Sequence, residues 1–179
     1  MMLSIDPSSY IHPTAVIYPN VTIGKNCYVG AFCIIGGAPE YPNRHPNEPH
    51  GGVIILDNVI LHGHNTIDAA TNEGDFTVIH SNCSLFKNAH LGHDTILYEN
   101  VTLSCGVKVG GYSQIEAYST IGLNASVHQK SFVPKGSMIG ANAFFKNVDD
   151  FKSIEYKVWV GVPCKVIGDN WRLKQKLGI

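Results

Sequence analysis

The chain has 179 residues, of which 44% are hydrophobic and 15% charged, and its formal net charge is −1. That length suits one domain with its own core, and the composition argues against disorder. A near-neutral chain without a Lys/Arg cluster lacks the electrostatic footprint that nucleic acid or an anionic membrane requires. Eighteen glycines and nine prolines beside many Val and Ile residues point to a β-rich, turn-rich protein rather than a helical bundle.

From the first residues onward the chain repeats every six. Stepping from Ile11 gives Ile17, Ile23, Val29 and Ile35, all aliphatic. After an interruption the series resumes at Ile55, Leu61 and Ile67 and misses at Glu73. It then runs from Ile79 through Leu85, Leu91, Leu97, Leu103, Val109, Ile115 and Ile121 to Phe145. The residue four places after each aliphatic is small or β-branched, as at Val21, Cys27, Cys83, Val101, Ser113 and Ala125. Period six is neither the 3.6 of a helix nor the simple alternation of a strand. It predicts a hexapeptide solenoid in which each hexad is a short strand plus a turn. Three hexads close a coil, and coils stack as parallel strands about 4.8 Å apart, so roughly seven coils make a prism about 34 Å long. Glycine directly after the aliphatic, as at Gly24, Gly30, Gly92 and Gly110, is expected to supply turns with φ > 0.

Two interruptions and a tail break the pattern. Residues 36–54, rich in Pro, Gly, Asn and His, are expected to leave the prism as an external loop, and such loops on rigid scaffolds carry function. Residues 68–77 keep the phase but lack the aliphatic at Glu73. From about Asp149 the repeat fails. The expected organisation is therefore a β-helix domain over 1–148, followed by an irregular coil and capping helix over 149–179. Asp169 or Asn170 would cap that helix, which would end near Leu177 and cover the open end of the prism.

The five cysteines are odd in number and contain no C-x-x-C pair, which fits reduced thiols in the cytoplasm. Cys27, Cys33 and Cys83 sit at the small-residue position and read as core filler. No signal-like or membrane-spanning run is present in the sequence, so export and membrane insertion are not expected.

The nine histidines are the unexplained surplus. His90, His93 and Asp94 cluster in N-A-H-L-G-H-D. Counting by coils of 18 places His93 over Asp75 and under Gly111, with Gln129 one coil further and His128 on the same face. A neutral imidazole partnered by a carboxylate is a competent general base near pH 7. Clustered histidines can also hold zinc. The γ-class carbonic anhydrases use three histidines on this kind of prism, but the spacing of His90, His93 and His128 does not match theirs, so no metal is expected.

N-A-H-L-G-H-D (88–94), V-T-L-S-C-G-V (101–107) and S-V-H-Q (126–129) closely resemble the UDP-N-acetylglucosamine O-acyltransferases of lipid A synthesis. The opening I-H-P-T-A-V (11–16) is similar too, so that the likeness spans about residues 11–145. The resemblance implies an all-β, left-handed parallel β-helix, a homotrimer with active sites between subunits, and a place in lipopolysaccharide biosynthesis. By position it implies His93 as the general base with Asp94 as its acidic neighbour, and the Cys105 backbone N–H as oxyanion donor. It also places His90, His128 and Gln129 along the substrate site. The ending G-V-P-C-K-V-I (161–167) resembles the close of small coenzyme-A-dependent sugar acetyltransferases. The expected activity is transfer of an acyl group from acyl-CoA or acyl-ACP to a hydroxyl or amine of a nucleotide-linked sugar. Asp75 and Gly111 are expected to contact that acceptor, and loop 36–54 to gate it. A metal hydratase on the same prism and a non-catalytic binding prism remain the alternatives of other classes.

Overall fold

The computed structural model describes residues 3–146 and 154–179. The expected boundary at 148–149 falls outside these residues. Short strands assemble into three sheets of seven, nine and seven strands, parallel except for the last pair of the second, and the sheets form the faces of a triangular prism. The first runs from Ser4–Ile5 to Phe132–Val133 and the third from Val16–Ile17 to Phe144–Phe145. The second begins at Tyr10–Ile11 and continues into the tail.

The aliphatic of each hexad points inward and stacks on its equivalent one coil away, as in Leu85↔Leu103, Leu91↔Val109 and Leu97↔Ile115. These side chains are fully buried and form one continuous core. Burying each contributes about 1.5–3 kcal/mol. Cys27, Cys33 and Cys83 are buried in the same core as small filler.

The turns differ from expectation. The left-handed backbone conformation falls three residues after the aliphatic, at Asn20, Asn82, Asn88, Asn100 and Asn124, with φ between 54° and 65°. Asparagine tolerates this region better than other residues with a side chain. Of the glycines directly after the aliphatic, Gly36 does take a positive φ of 83°, while others serve close stacking. A Cβ on Gly92 would lie 2.8 Å from the Gly111 nitrogen, and one on Gly110 would lie 2.6 Å from the Gln129 nitrogen.

Both interruptions show in the register. Ile35 pairs with Ile67, 32 positions on, because residues 38–51 leave the prism as a loop between Ile34–Gly37 and Gly52–Ile55. Ile67 pairs with Leu91, 24 positions on, because a hexad's worth of chain bulges out before Phe76–Ile79.

The tail stays with the prism. Lys157–Val160 adds to the second sheet beside Met138–Ile139, and Lys165–Asp169 then pairs with it antiparallel. Trp159 takes the aliphatic's place above Ile139, buried edge-on against Phe145 at 5.3 Å, and its indole N–H donates to Ser137 Oγ. Asn170 caps the helix Trp171–Leu177 by accepting from the Leu173 N–H, and its side chain donates to the Gly136 carbonyl. The helix itself buries none of its residues. At this end Trp159 sits in the inward column and Ile154 and Cys164 also pack against the core, whereas the helix residues are exposed or half-buried. Among the described residues no helix is long and apolar enough to cross a membrane.

Candidate active site

His93 and Asp94 occupy the corner where the third sheet, through His90–Leu91, turns into the first at Ile96–Leu97. Asp94 is the left-handed residue of that turn, with φ 58°, and its N–H donates to Thr77 Oγ1 at 2.8 Å. This conformation folds its carboxylate back on the preceding ring. His93 Nδ1 lies 2.8 Å from Asp94 Oδ2, with both side chains about nine-tenths buried.

Thr71 completes the arrangement from the bulged segment. Its N–H donates to Asp94 Oδ2 at 3.0 Å and its hydroxyl donates to the same oxygen. Tyr112 OH donates to Thr71 Oγ1 at 3.1 Å. Asp94 Oδ2 therefore gathers donors, and the proton of the neutral imidazole is fixed on Nδ1. Nε2 keeps its lone pair. It faces Gly111, where a Cβ would come within 2.7 Å of it. The rings of Tyr112 and Tyr41 stand edge-on to His93, at centroid distances of 5.0 and 5.7 Å. Tyr41 belongs to the external loop, which thus reaches over the imidazole. On its outer side the loop forms a cleft of about 440 Å³ with Tyr18, Arg44 and His50 among its lining.

A second group lies along the same corner. His90 Nδ1 is 2.8 Å from Thr66 Oγ1, and His90 Nε2 is 3.9 Å from Asp68 Oδ2, beyond hydrogen-bond reach. Glu40, on the external loop, brings a carboxylate oxygen to within 4.8 Å of both. Burial, with Glu40 adding repulsion, pushes the Asp68 carboxyl up to about 7, and burial holds the His90 imidazolium below its usual range. Asp68 Oδ2 is shielded from solvent and has no hydrogen-bond partner. Tetrahedral zinc, at about 2.0–2.2 Å from its ligands, needs donor atoms roughly 3.4 Å apart, so these three would have to close in to hold it.

His93, Asp94, Gly111 and His90 are thus brought together. Two expected members are not. Asp75 is exposed at the tip of the bulge and accepts from Asn72, because the extra hexad turns it outward and puts Thr71 against His93. Cys105 is exposed in the turn between Thr102–Leu103 and Lys108–Val109, at a different corner of the prism. Being 12 residues from His93, it cannot share its column; Gly111, 18 residues on, does. His128 and Gln129 stand further along the His93 face. The His128 Nδ1 contacts the Gln129 carbonyl at 2.9 Å, and the Gln129 backbone lies against Gly110. The three histidines of the cluster are each tied to a separate partner, not to one another. Sequence reasoning missed Thr71, Glu40, Asp68, Tyr41 and Tyr112. Of these, Asp68 left a signal: it stands directly after Ile67, where many hexads have glycine. His62 and His80 stack on Phe86 and Tyr98, His64 lies tilted against Phe32, and His80 also pairs with Glu99 at 3.3 Å.

Residues 4–37 match the family model described as bacterial transferase hexapeptide (six repeats). An acyl-[acyl-carrier-protein]–UDP-N-acetylglucosamine O-acyltransferase of Campylobacter concisus is 30% identical over 102 residues, 56% of this chain and 39% of its own length. The chain thus spans about two fifths of the length of the curated relatives it matches. Among solved structures, the UDP-N-acetylglucosamine O-acyltransferase of Moraxella catarrhalis aligns with a TM-score of 0.72 at 24% identity, covering 99% of this chain and 77% of that one. The UDP-N-acetylglucosamine acyltransferase of Francisella novicida gives 0.80 at 22%, covering 99% and 70%. Repeat, register and structural likeness agree: the chain is a left-handed parallel β-helix of hexapeptide repeats, similar along its prism to UDP-N-acetylglucosamine O-acyltransferases.

Proposed function

We propose that the chain is an acyltransferase that moves an acyl group from a thioester to a hydroxyl or amine of a nucleotide-linked sugar. The observation that carries this reading is the imidazole of His93, fixed through Nδ1 by Asp94 and Thr71 and free at Nε2 beside a glycine. Such a ring accepts a proton at one defined atom.

The acceptor O–H or N–H gives its proton to His93 Nε2 as its lone pair attacks the thioester carbonyl carbon. Asp94 stabilises the imidazolium that forms, much as a carboxylate does in a hydrolase triad. The carbonyl oxygen becomes an oxyanion, for which the Gly111 backbone N–H is the donor we assign, in place of the Cys105 N–H. Collapse breaks the carbon–sulfur bond, and the imidazolium returns its proton to the departing thiolate. His90, His128 and Gln129 line the acceptor side, and the loop carrying Tyr41 closes over the ring.

The names of the relatives point to acyl carrier protein thioesters and UDP-N-acetylglucosamine as the first substrates to try. We take the working assembly to be a homotrimer with sites at the subunit boundaries and the compartment to be the cytoplasm. Thiol release from acyl-ACP and from acyl-CoA, each measured with UDP-N-acetylglucosamine and other nucleotide sugars, tests the activity. Release that depends on both acceptor and His93 supports it; none with any pair overturns it.

A further inference from the structure

The proton transfer uses His93, Asp94 and Thr71 and gives Glu40 and Asp68 no task, although both lie beside His90 on the acceptor side. Their three heteroatoms converge without bonding one another. Asp68 is 8% exposed, and its Oδ2, which faces His90 Nε2, is the buried oxygen without a partner. A buried acceptor left unpaired costs about 1–3 kcal/mol, and more when charged, so a ligand that supplies donors there is strongly favoured. A cation entering the group would hold both carboxylates ionised, so that each atom of the group can accept from it. In the tautomer whose Nδ1–H donates to Thr66 Oγ1, His90 Nε2 keeps its lone pair, and both carboxylates only accept when ionised.

We propose that Glu40, Asp68 and His90 cradle a protonated primary amine of the acceptor, so that the acceptor is an amino sugar. The inference rests on the acyl-transfer reading of the site. An ammonium offers three donors to three acceptors. With charge-assisted bonds of about 2.7–2.9 Å, its tetrahedral geometry spaces the acceptors roughly 4.6 Å apart. The separations of 3.9 Å and up to 4.8 Å fall near that figure and above the roughly 3.4 Å that zinc needs. A neutral hydroxyl offers one donor and no charge, and it leaves two of the acceptors unpaired. A cation also answers the mutual repulsion of Glu40 and Asp68. The amine bound here is a recognition group; acylation takes place at the atom presented to His93 Nε2.

The test is binding to the full chain by calorimetry at pH 7, with no acyl donor present. The probes are UDP-hexoses carrying an amine at C2, C3 or C4, each compared with UDP-glucose. At least one amine should bind about tenfold or more tighter than the hydroxyl sugar, the scale of one charged hydrogen bond. Asp68→Asn and Glu40→Gln should each reduce that preference, to within about twofold together. Glu40 is on the exposed loop, so its replacement tests the cradle without touching the core. All amines within about twofold of UDP-glucose would overturn the proposal, as would a preference that survives both substitutions. Stoichiometric zinc or manganese binding lost in Asp68→Asn would also overturn it, in favour of a metal site. Because no thioester is present, failure here is separate from failure of acyl transfer.

Discussion

Gly111 stands so close to His93 that a Cβ would come within 2.7 Å of both Cε1 and Nε2 of the ring. The absence of a side chain is what lets the imidazole present Nε2 along the prism wall. Gly111→Ala should force the ring to tilt. Because the backbone there needs no positive φ, folding should survive, while a displacement of the base near 1 Å costs about 10²-fold in rate. Circular dichroism and steady-state kinetics together check this; a variant with normal kcat contradicts the placement of the base.

Asp94 and Thr71 act on His93 through Nδ1. Asp94→Asn removes the acceptor that fixes the tautomer and stabilises the imidazolium, and should lower kcat by about 10²–10⁴-fold with little change in KM. Thr71→Val removes the hydroxyl bonds to Asp94 and His93 while keeping the shape, and should lower kcat less. Thr71→Ser should restore it. Equal effects of Val and Ser would show that the hydroxyl has no positioning role.

Asp68 makes the fold sensitive to pH. Its carboxyl is held at about 7 against an ordinary 3.8, so the native state binds a proton that the unfolded chain has released. Stability from this group is therefore full below about pH 4 and falls as pH rises toward 7, by at most about 4 kcal/mol. Asp68→Asn removes the ionisation. Urea unfolding at pH 5 and pH 8 should show a smaller drop for the variant than for the wild type, and identical drops would refute the assignment.

The prism end depends on Trp159. Trp159→Ala empties a fully buried site against Phe145 and should cost about 3–5 kcal/mol. Truncation after Asn170 removes a helix that buries none of its residues and should shift the melting temperature far less. Differential scanning calorimetry separates the two, and the reverse order would mean that the helix is the cap.

The sequence made the repeat legible because one inward aliphatic per hexad is a strict requirement of a narrow prism: Leu85, Leu103 and Ile121 must stack. His93 and Asp94 were legible because they are neighbours in a motif. The partners of His93 were not, because column arithmetic holds only where coils have 18 residues. The extra hexad before Phe76 replaced Asp75 by Thr71, and the loop after Gly37 brought in Glu40 and Tyr41 from outside the repeat. Glycine was assigned to the wrong turn position for a local reason. Asn most often occupies the left-handed residue, with Tyr112, Tyr118, Gly106 and Gly136 in the same place on other hexads, whereas Gly92 and Gly110 are bare because the next coil's backbone passes against them.

The most direct test of the account is the rate of thioester cleavage by His93→Ala in the presence of the acceptor that the wild type uses. The account predicts a folded protein whose acceptor-dependent thiol release is lower by about 10²–10⁴-fold. A variant that releases thiol at the wild-type rate would contradict it.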